Sequence, residues 1–302
     1  MTTATHSVVD MITNKYGLPH QFENLLARDK YDPGESNITI TRLLSSPRIS
    51  ILQAKHKDEI VTDISDDVWK LLGKCIHTVL EEGADDSDII EQRMFMEVNG
   101  WKVSGQCDAI RTDGKQKVLM DWKFTSAYKV GKPNTEWEEQ LNCYAYLAHH
   151  DLGIDIDRLQ VIMILRDWKK AQAINSNSYP QAAVHVVELP LWSREEQKKF
   201  IEEKVTYHQD AWFDHDMGNE PPLCTNEDRW KRDSTWAIVK HGGVRSVKNC
   251  ETLEEAQEHH NKMKTKQDFQ IIERKGEPAR CVGNYCQVAD FCDQFKQENQ
   301  SD

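Results

Sequence analysis

The chain has 302 residues, 38% hydrophobic and 29% charged, with a mean hydropathy of −0.70, which supplies a core and argues against a disordered chain. No apolar run reaches the ~20 residues a membrane helix needs. The opening residues lack a basic start ahead of an apolar core, so the expectation is a cytoplasmic protein with no signal peptide and no membrane attachment. The net charge of −12 speaks against general nucleic-acid binding, which depends on Lys and Arg, though not against a cleft that is locally basic or metal-filled.

In chain order, residues 1–36 form a mixed polar N-terminal extension ending in the turn-rich Asp32-Pro33-Gly34-Glu35-Ser36. Ile38 to Leu44 opens the ordered core. Ser65-Asp66-Asp67 starts a helix on which Val68, Leu71, Leu72, Cys75, Ile76, Val79 and Leu80 recur at helical spacing, and Gly83 closes it. The period then changes. Glu91 to Val98 alternates loosely, Asn99-Gly100 is a hairpin turn, and Trp101 to Ile110 follows as a strand. Asp113-Gly114 is a second hairpin signal before a third strand, Lys117 to Lys123, so an antiparallel meander is expected.

A helix from about Thr135 to His150 carries Trp137, Leu141, Tyr144 and Leu147 or Ala148 on one stripe. Leu159 to Leu165 and Ala182 to Leu189 read as buried strands. Ser193 to about His208 reads as a charged helix opened by a Ser-x-x-Glu capping box. After Glu220-Pro221-Pro222 the composition shifts to a small strand–strand–helix–strand module, then a cysteine-rich segment and a polar tail. The expected division is a core over 37–220, the module over 221–275, and the cysteine segment with the tail over 276–302.

One cluster carries chemistry. Side chains alternate along a strand, so Asp121 and Lys123 of Asp121-Trp122-Lys123 face one way, and the preceding hairpin can bring Asp108 beside them. Phosphodiester hydrolysis needs an activated water and compensation for charge building on the phosphoryl oxygens. Carboxylates that bind Mg²⁺ or Mn²⁺ supply both, and a lysine on the same face can orient or deprotonate the water. An Asp-x-Lys pair alone is ordinary strand surface; its company raises it. His77 borders the apolar stripe of its helix and can ligate a metal such as Mn²⁺. Gly105 stands just before Asp108, and Gln140 and Tyr144 share a helix face suited to a phosphate or a base.

The ordered set Gly73-x-x-x-His77, Gly105-x-x-Asp108, Asp121-Trp122-Lys123 and Gln140-x-x-x-Tyr144 resembles the RecB-like branch of the PD-(D/E)XK nucleases, over roughly residues 38–165 and the cysteine tail. The resemblance implies an α/β fold: a restriction-endonuclease-like mixed sheet flanked by helices. It implies His77, Asp108 and Asp121 as metal ligands, with the Trp122 carbonyl as a fourth and Glu91 as a further candidate for the metal or water shell. Lys123 would be the catalytic lysine, and Gln140 and Tyr144 would contact DNA.

Eight cysteines stand at 75, 107, 143, 224, 250, 281, 286 and 292. In the cytoplasm disulfides are not expected, so a cluster suggests metal. The first three sit in apolar contexts, while Cys281, Cys286 and Cys292 are close in sequence. Three thiolates do not close a site, so Cys224, or else Cys250, would be the fourth. Members of the resembled branch often hold a [4Fe–4S] cluster near the C-terminus. Here the gap between Cys281 and Cys286 is longer than usual and no cysteine precedes the His77 helix, so zinc stays open.

The resemblance implies metal-dependent hydrolysis of DNA, exonucleolytic at ends or on single strands. Its setting would be phage-type recombination, beside a single-strand annealing or other recombination protein. The rivals are a structure-specific or nicking endonuclease with the same centre, and a non-catalytic DNA-binding assembly protein.

Overall fold

The computed structural model describes residues 12–28, 34–132 and 134–299, and the chain divides into two compact units. The first holds Met1–Ser50 with Lys57–Pro221, the second Ile51–His56 with Pro222–Asp302. The expected N-terminal extension lies partly outside the described residues. Its described part holds β1 (Ile12–Thr13) and α1 (His20–Arg28), and β1 pairs in parallel with β3 (Thr62–Asp63).

The first unit is organised by a mixed six-stranded sheet, the arrangement expected of a restriction-endonuclease-like core. After β2 (Ile38–Thr39) come the short α2 (Ile40–Leu43), α3 (Pro47–Lys55), a 3₁₀ turn at Ile64–Asp67 and α4 (Val68–Glu81). The meander follows as β4 (Ile89–Val98), β5 (Trp101–Asp113) and β6 (Gln116–Thr125). Its first turn has Asn99 and Gly100 at φ 49° and 78°, the positive pair that a two-residue hairpin requires. Then come α5 (Thr135–Leu152), β7 (Arg158–Leu165), α6 (Lys170–Asn175), β8 (Val184–Leu189) and α7 (Arg194–Asp216). Ser193 and Glu196 form the reciprocal capping box at the start of α7.

Strand β5 is the hub. Strand β4 pairs along one edge of it, from Val98↔Trp101 to Ile89↔Ile110. The opposite edge is shared: β2 pairs with Val103 and Ser104, and β6 pairs only from Ala109↔Met120 to Asp113↔Gln116. Residues 105–108 therefore have no strand partner on that edge among the described residues. Beyond Met120, β6 keeps only its parallel partner β7, from Val118↔Arg158 to Thr125↔Leu165. The sheet opens between β5 and β6.

Helix α5 packs on one face of the sheet and buries Leu141 through Ala148. Two devices hold it there. Gly105 leaves room for it, because a Cβ at that position would stand 2.7 Å from Tyr144 Cε1 and 2.8 Å from Leu147 Cδ1. Asn142, fully buried, spends its whole hydrogen-bonding capacity: its amide donates to the Glu138 and Pro190 carbonyls, and its oxygen accepts from Trp192 N and Gln197 Nε2. The residues before and along α7 are thus tied to α5.

Two expectations need correction. The apolar stripe of α4 is not buried: Leu72, Cys75, Val79 and Leu80 are exposed, and no residue of the helix is fully covered. The helix covers only a short stretch of β6, too little to enclose a full stripe. Strand β8 is an edge rather than a buried strand, with Val184 and Val186 about half exposed, because among the described residues it has β7 on one side and no strand on the other. Sequence reading also missed α6, which is short and buries only Ala173.

The second unit holds an antiparallel sheet of β9 (Thr235–Lys240), β10 (Ser246–Cys250) and β11 (Phe269–Arg274) in the order β10-β9-β11, with α8 (Leu253–Lys262) between β10 and β11 in sequence. The cysteine segment follows with α9 (Ala279–Val282), a 3₁₀ turn at Ala289–Phe291 and α10 (Asp293–Asn299). His56, from the end of α3, stacks on Phe291 at 4.3 Å. Among the described residues no helix is long and apolar enough to cross a membrane.

Gly105→Ala should lower stability by about 1–3 kcal/mol in denaturant unfolding, since the added methyl collides with a buried ring that has nowhere to go. An unchanged unfolding midpoint would show that α5 does not need this close approach.

Candidate active site

The site forms where the strands part. Pairing between β4 and β5 skips Glu91 and Asp108, running from Ile90↔Ala109 directly to Gln92↔Cys107. Glu91 takes φ 47°, a conformation that non-glycine residues seldom adopt and that is often found at functional positions. At the same level β6 has lost its β5 partner, and the Asp108 side chain fills the gap: its Oδ2 accepts the Trp122 amide at 2.6 Å. The carboxylate stands in for a missing strand carbonyl and is thereby aimed.

His77 on α4 meets this point from one side. Its Nδ1 lies 3.5 Å from Asp108 Oδ1 and 3.5 Å from Glu91 Oε1. The other Glu91 oxygen accepts from Gln106 Nε2 at 2.6 Å. Ligand atoms of His77, Glu91 and Asp108 all lie within 4.8 Å of one another. The Trp122 ring meets the His77 imidazole edge-on at 5.6 Å. On the α5 side, Lys123 Nζ stands 2.8 Å from Asp121 Oδ2 and donates to Gln140 Oε1 at 3.1 Å, and Gln140 Nε2 donates to the Tyr144 hydroxyl at 2.9 Å.

The electrostatics follow from packing acids in a buried place. Burial pushes the Asp108 carboxyl up to about 7, and the charge of Asp121 pushes the same way, against the pull of His77. The hydrogen bond with Glu91 holds His77 above the ordinary imidazole value despite its burial. Burial raises Glu91, but its bonds with His77 and Gln106 outweigh that and leave it lowered. Burial pulls Lys123 down, while the adjacent Asp121 carries it above the usual lysine value, so it stands as an ammonium.

This donor set suits a hard divalent cation. His77, Glu91 and Asp108 bring an imidazole and two carboxylates together, and Asp121 is near enough for its charge to act on His77 and Asp108. Asp121 Oδ2 is buried with the Lys123 ammonium 2.8 Å away as its partner. The residues named from the sequence thus fall on two sides of one opening: His77, Glu91 and Asp108 toward α4, Asp121, Lys123, Gln140 and Tyr144 toward α5. Trp122 stands between, its amide spent on Asp108. Tyr144 is only 4% exposed and offers no free ring face. Gln106, which steadies Glu91, was not foreseen. Its signal is its place two residues before Asp108 on β5, beside the irregular Glu91.

In the second unit, burial and then the neighbouring Cys286, Cys224 and Cys292 push the Cys281 thiol up to about 11, so these four thiols share one locality. Cys250 stands apart at the end of β10, where burial and Glu255 set its thiol. Gln294 clamps Cys224 from both directions, its Oε1 accepting from the Cys224 amide and its Nε2 donating to the Cys224 carbonyl.

The family model of the PD-(D/E)XK nuclease superfamily matches residues 52–293. No curated protein is detectably similar to the chain. Among solved structures, it is similar to the crystal structure of SSO0001, at 20% identity over 62% of this chain and 82% of that one, with a TM-score of 0.41.

Asp108 has a folded-state value of about 7 against an ordinary 3.8, so it stabilises the metal-free fold at low pH and that contribution is lost as pH rises through 7. His77, raised above its ordinary value, is lost in the same direction. The Tm of metal-free protein should therefore fall between about pH 5 and about pH 8. Asp108→Asn should flatten this fall and raise Tm by several degrees at the upper end, while abolishing Mn²⁺ binding in calorimetry. A variant that melts lower than wild type at the alkaline end would refute the assignment of a destabilising buried charge.

Proposed function

The chain belongs to the PD-(D/E)XK nuclease superfamily, and we propose that it is a metal-dependent deoxyribonuclease of the RecB-like branch, an exonuclease acting at DNA ends or on single strands. The observation that carries this reading is the grouping of His77, Glu91 and Asp108 on one side of the opening between β5 and β6, with the Asp121–Lys123 pair on the other. A phosphodiester must lie in such an opening to meet all of them.

His77, Glu91, Asp108 and Asp121 would hold Mg²⁺ or Mn²⁺, with the Trp122 carbonyl completing the set. When bound, the cation supplies Lewis acidity and positive charge at the scissile phosphate. Lys123, held as an ammonium by Asp121 and Gln140, orients the attacking water and offsets charge on the phosphoryl oxygens. Gln140 is the member of the Gln140–Tyr144 pair that reaches DNA. Tyr144, buried beneath it, fixes its amide through the hydroxyl. Gln106 keeps Glu91 turned toward His77.

Cys224, Cys281, Cys286 and Cys292 are proposed as ligands of a [4Fe–4S] cluster rather than of zinc. The reading is supported by the resembled branch, whose members often hold such a cluster near the C-terminus, and by the four thiols sharing one locality; a zinc site is the alternative. The cluster would staple a segment that has little apolar surface of its own. Phage-type recombination in the host cytoplasm, beside a single-strand annealing protein, is the proposed setting.

With Mn²⁺, wild type should degrade end-labelled linear DNA and leave circular single strands intact. Lys123→Ala and Asp108→Ala should each cut the rate by at least ~100-fold. Full activity in either variant would sink the catalytic assignment, and cleavage of the circle would turn the reading to an endonuclease. Protein purified without oxygen should be brown, and Cys224→Ser should lose the colour. A colourless wild type with stoichiometric zinc would overturn the cluster.

A further inference from the structure

The α4 side of the opening carries a group of side chains that the metal centre does not use. Trp69, at the start of α4, is 56% exposed despite its size. Arg166, just after β7, lays its guanidinium over the Trp69 ring at 4.8 Å. Phe124, on β6, stands 6.4 Å from the same ring, tilted by 41°. A large exposed indole is not placed there for core packing, and Arg166 is not spent elsewhere: among the described residues it forms no ion pair. Its neighbour Asp167 has both oxygens engaged, accepting from Ser126 Oγ and from the Ala127 amide, each at 2.7 Å. The Arg166 amide donates to the Thr125 carbonyl at 2.9 Å. The loop bearing Arg166 is thus fixed to the end of β6 while its charge stays exposed.

Position ties this group to the reaction. Trp69 and His77 share α4, and their separation corresponds to about 12 Å along the axis. On β6, Phe124 lies two residues past Trp122, about 7 Å further along the strand and on the same face. Trp122 in turn touches the His77 ring. Trp122 and Phe124 therefore share the α4 side of β6, with His77 beside the first and Trp69 and Arg166 near the second.

We propose that Trp69, Phe124 and Arg166 form a stacking platform for an unpaired base next to the scissile phosphate, with Arg166 also contacting the strand's backbone. The occupant is single-stranded DNA. A base offers a flat π-face to an indole and a guanidinium, and the following phosphate offers the negative charge that Arg166 lacks. A paired base inside a duplex presents no free face, so the platform selects single strands or frayed ends. This rests on the nuclease reading and adds to it the basis of strand choice.

The test compares binding of oligothymidylate with that of an abasic strand of equal length, by fluorescence anisotropy in Ca²⁺, alongside Mn²⁺-dependent degradation. Wild type should bind oligothymidylate roughly tenfold more tightly than the abasic strand. Trp69→Ala and Trp69→Leu should lose that preference and raise KM for oligothymidylate by a similar factor, with kcat and Mn²⁺ affinity close to wild type. Trp69→Phe should recover much of the preference, and Arg166→Ala should weaken binding to both strands. Equal binding of the two strands by wild type, or an unchanged preference in both Trp69→Ala and Trp69→Leu, would overturn the platform, and the second result would mark the exposed helix face as a protein contact instead. Loss of Mn²⁺ binding in Trp69→Leu would also overturn it, by making Trp69 a structural support of the centre. If wild type degrades no DNA at all, it is the nuclease reading that fails, and the binding comparison still decides the platform.

Discussion

The hydrogen bond from the Trp122 amide to Asp108 Oδ2 is the join on which the site depends. It lies two residues past Met120, the last position of β6 that pairs with β5. A buried amide there must find an acceptor, since leaving it unpaired costs about as much as losing a hydrogen bond outright. Asp108 meets that demand with one oxygen and keeps the other facing His77. The same carboxylate thus closes the sheet and opens the centre, and this is why the opening can exist in an otherwise continuous ladder.

The rest of the centre is arranged around the tension this creates. Acids drawn into a buried place raise one another's affinity for protons, and here they are balanced by one imidazole and one ammonium rather than by solvent. Such a set is unfavourable while empty and favourable around a cation. The acidic net charge of the chain does not describe the centre, where Lys123 stands between Asp121 and Gln140.

Much of this was legible in the residues themselves. The meander followed from Asn99-Gly100 and Asp113-Gly114, and the shared side of Asp121 and Lys123 from strand alternation. Gly105 carried a signal whose cause emerged only in three dimensions, as the close approach of Tyr144 and Leu147. Elsewhere local pattern misled. The α4 stripe has the periodicity of a buried helix, but periodicity does not say how much surface waits to cover it. Tyr144 looked like a DNA-facing partner of Gln140, yet a helix face can point inward as readily as outward. Glu91 was named as a further candidate for the metal or water shell, but its turn toward His77 needs an irregular backbone that no residue type announces for a glutamate. Trp69, Phe124 and Arg166 come from three elements far apart in the chain, so no spacing rule gathers them.

The pairing of β6 has a consequence for when the enzyme becomes dangerous. Among the described residues, 121–125, which include Asp121 and Lys123, have β7 as their only strand partner, with Asp121 opposite Val161. A parallel pair cannot form by a tight turn; it needs the whole crossover, here α5, to be made first. During synthesis the hairpins of the meander can close while these residues remain without a ladder. Catalytic geometry therefore waits for the chain to reach β7, and the ribosome has released the crossover helix before the nascent protein can hold its reacting groups in register.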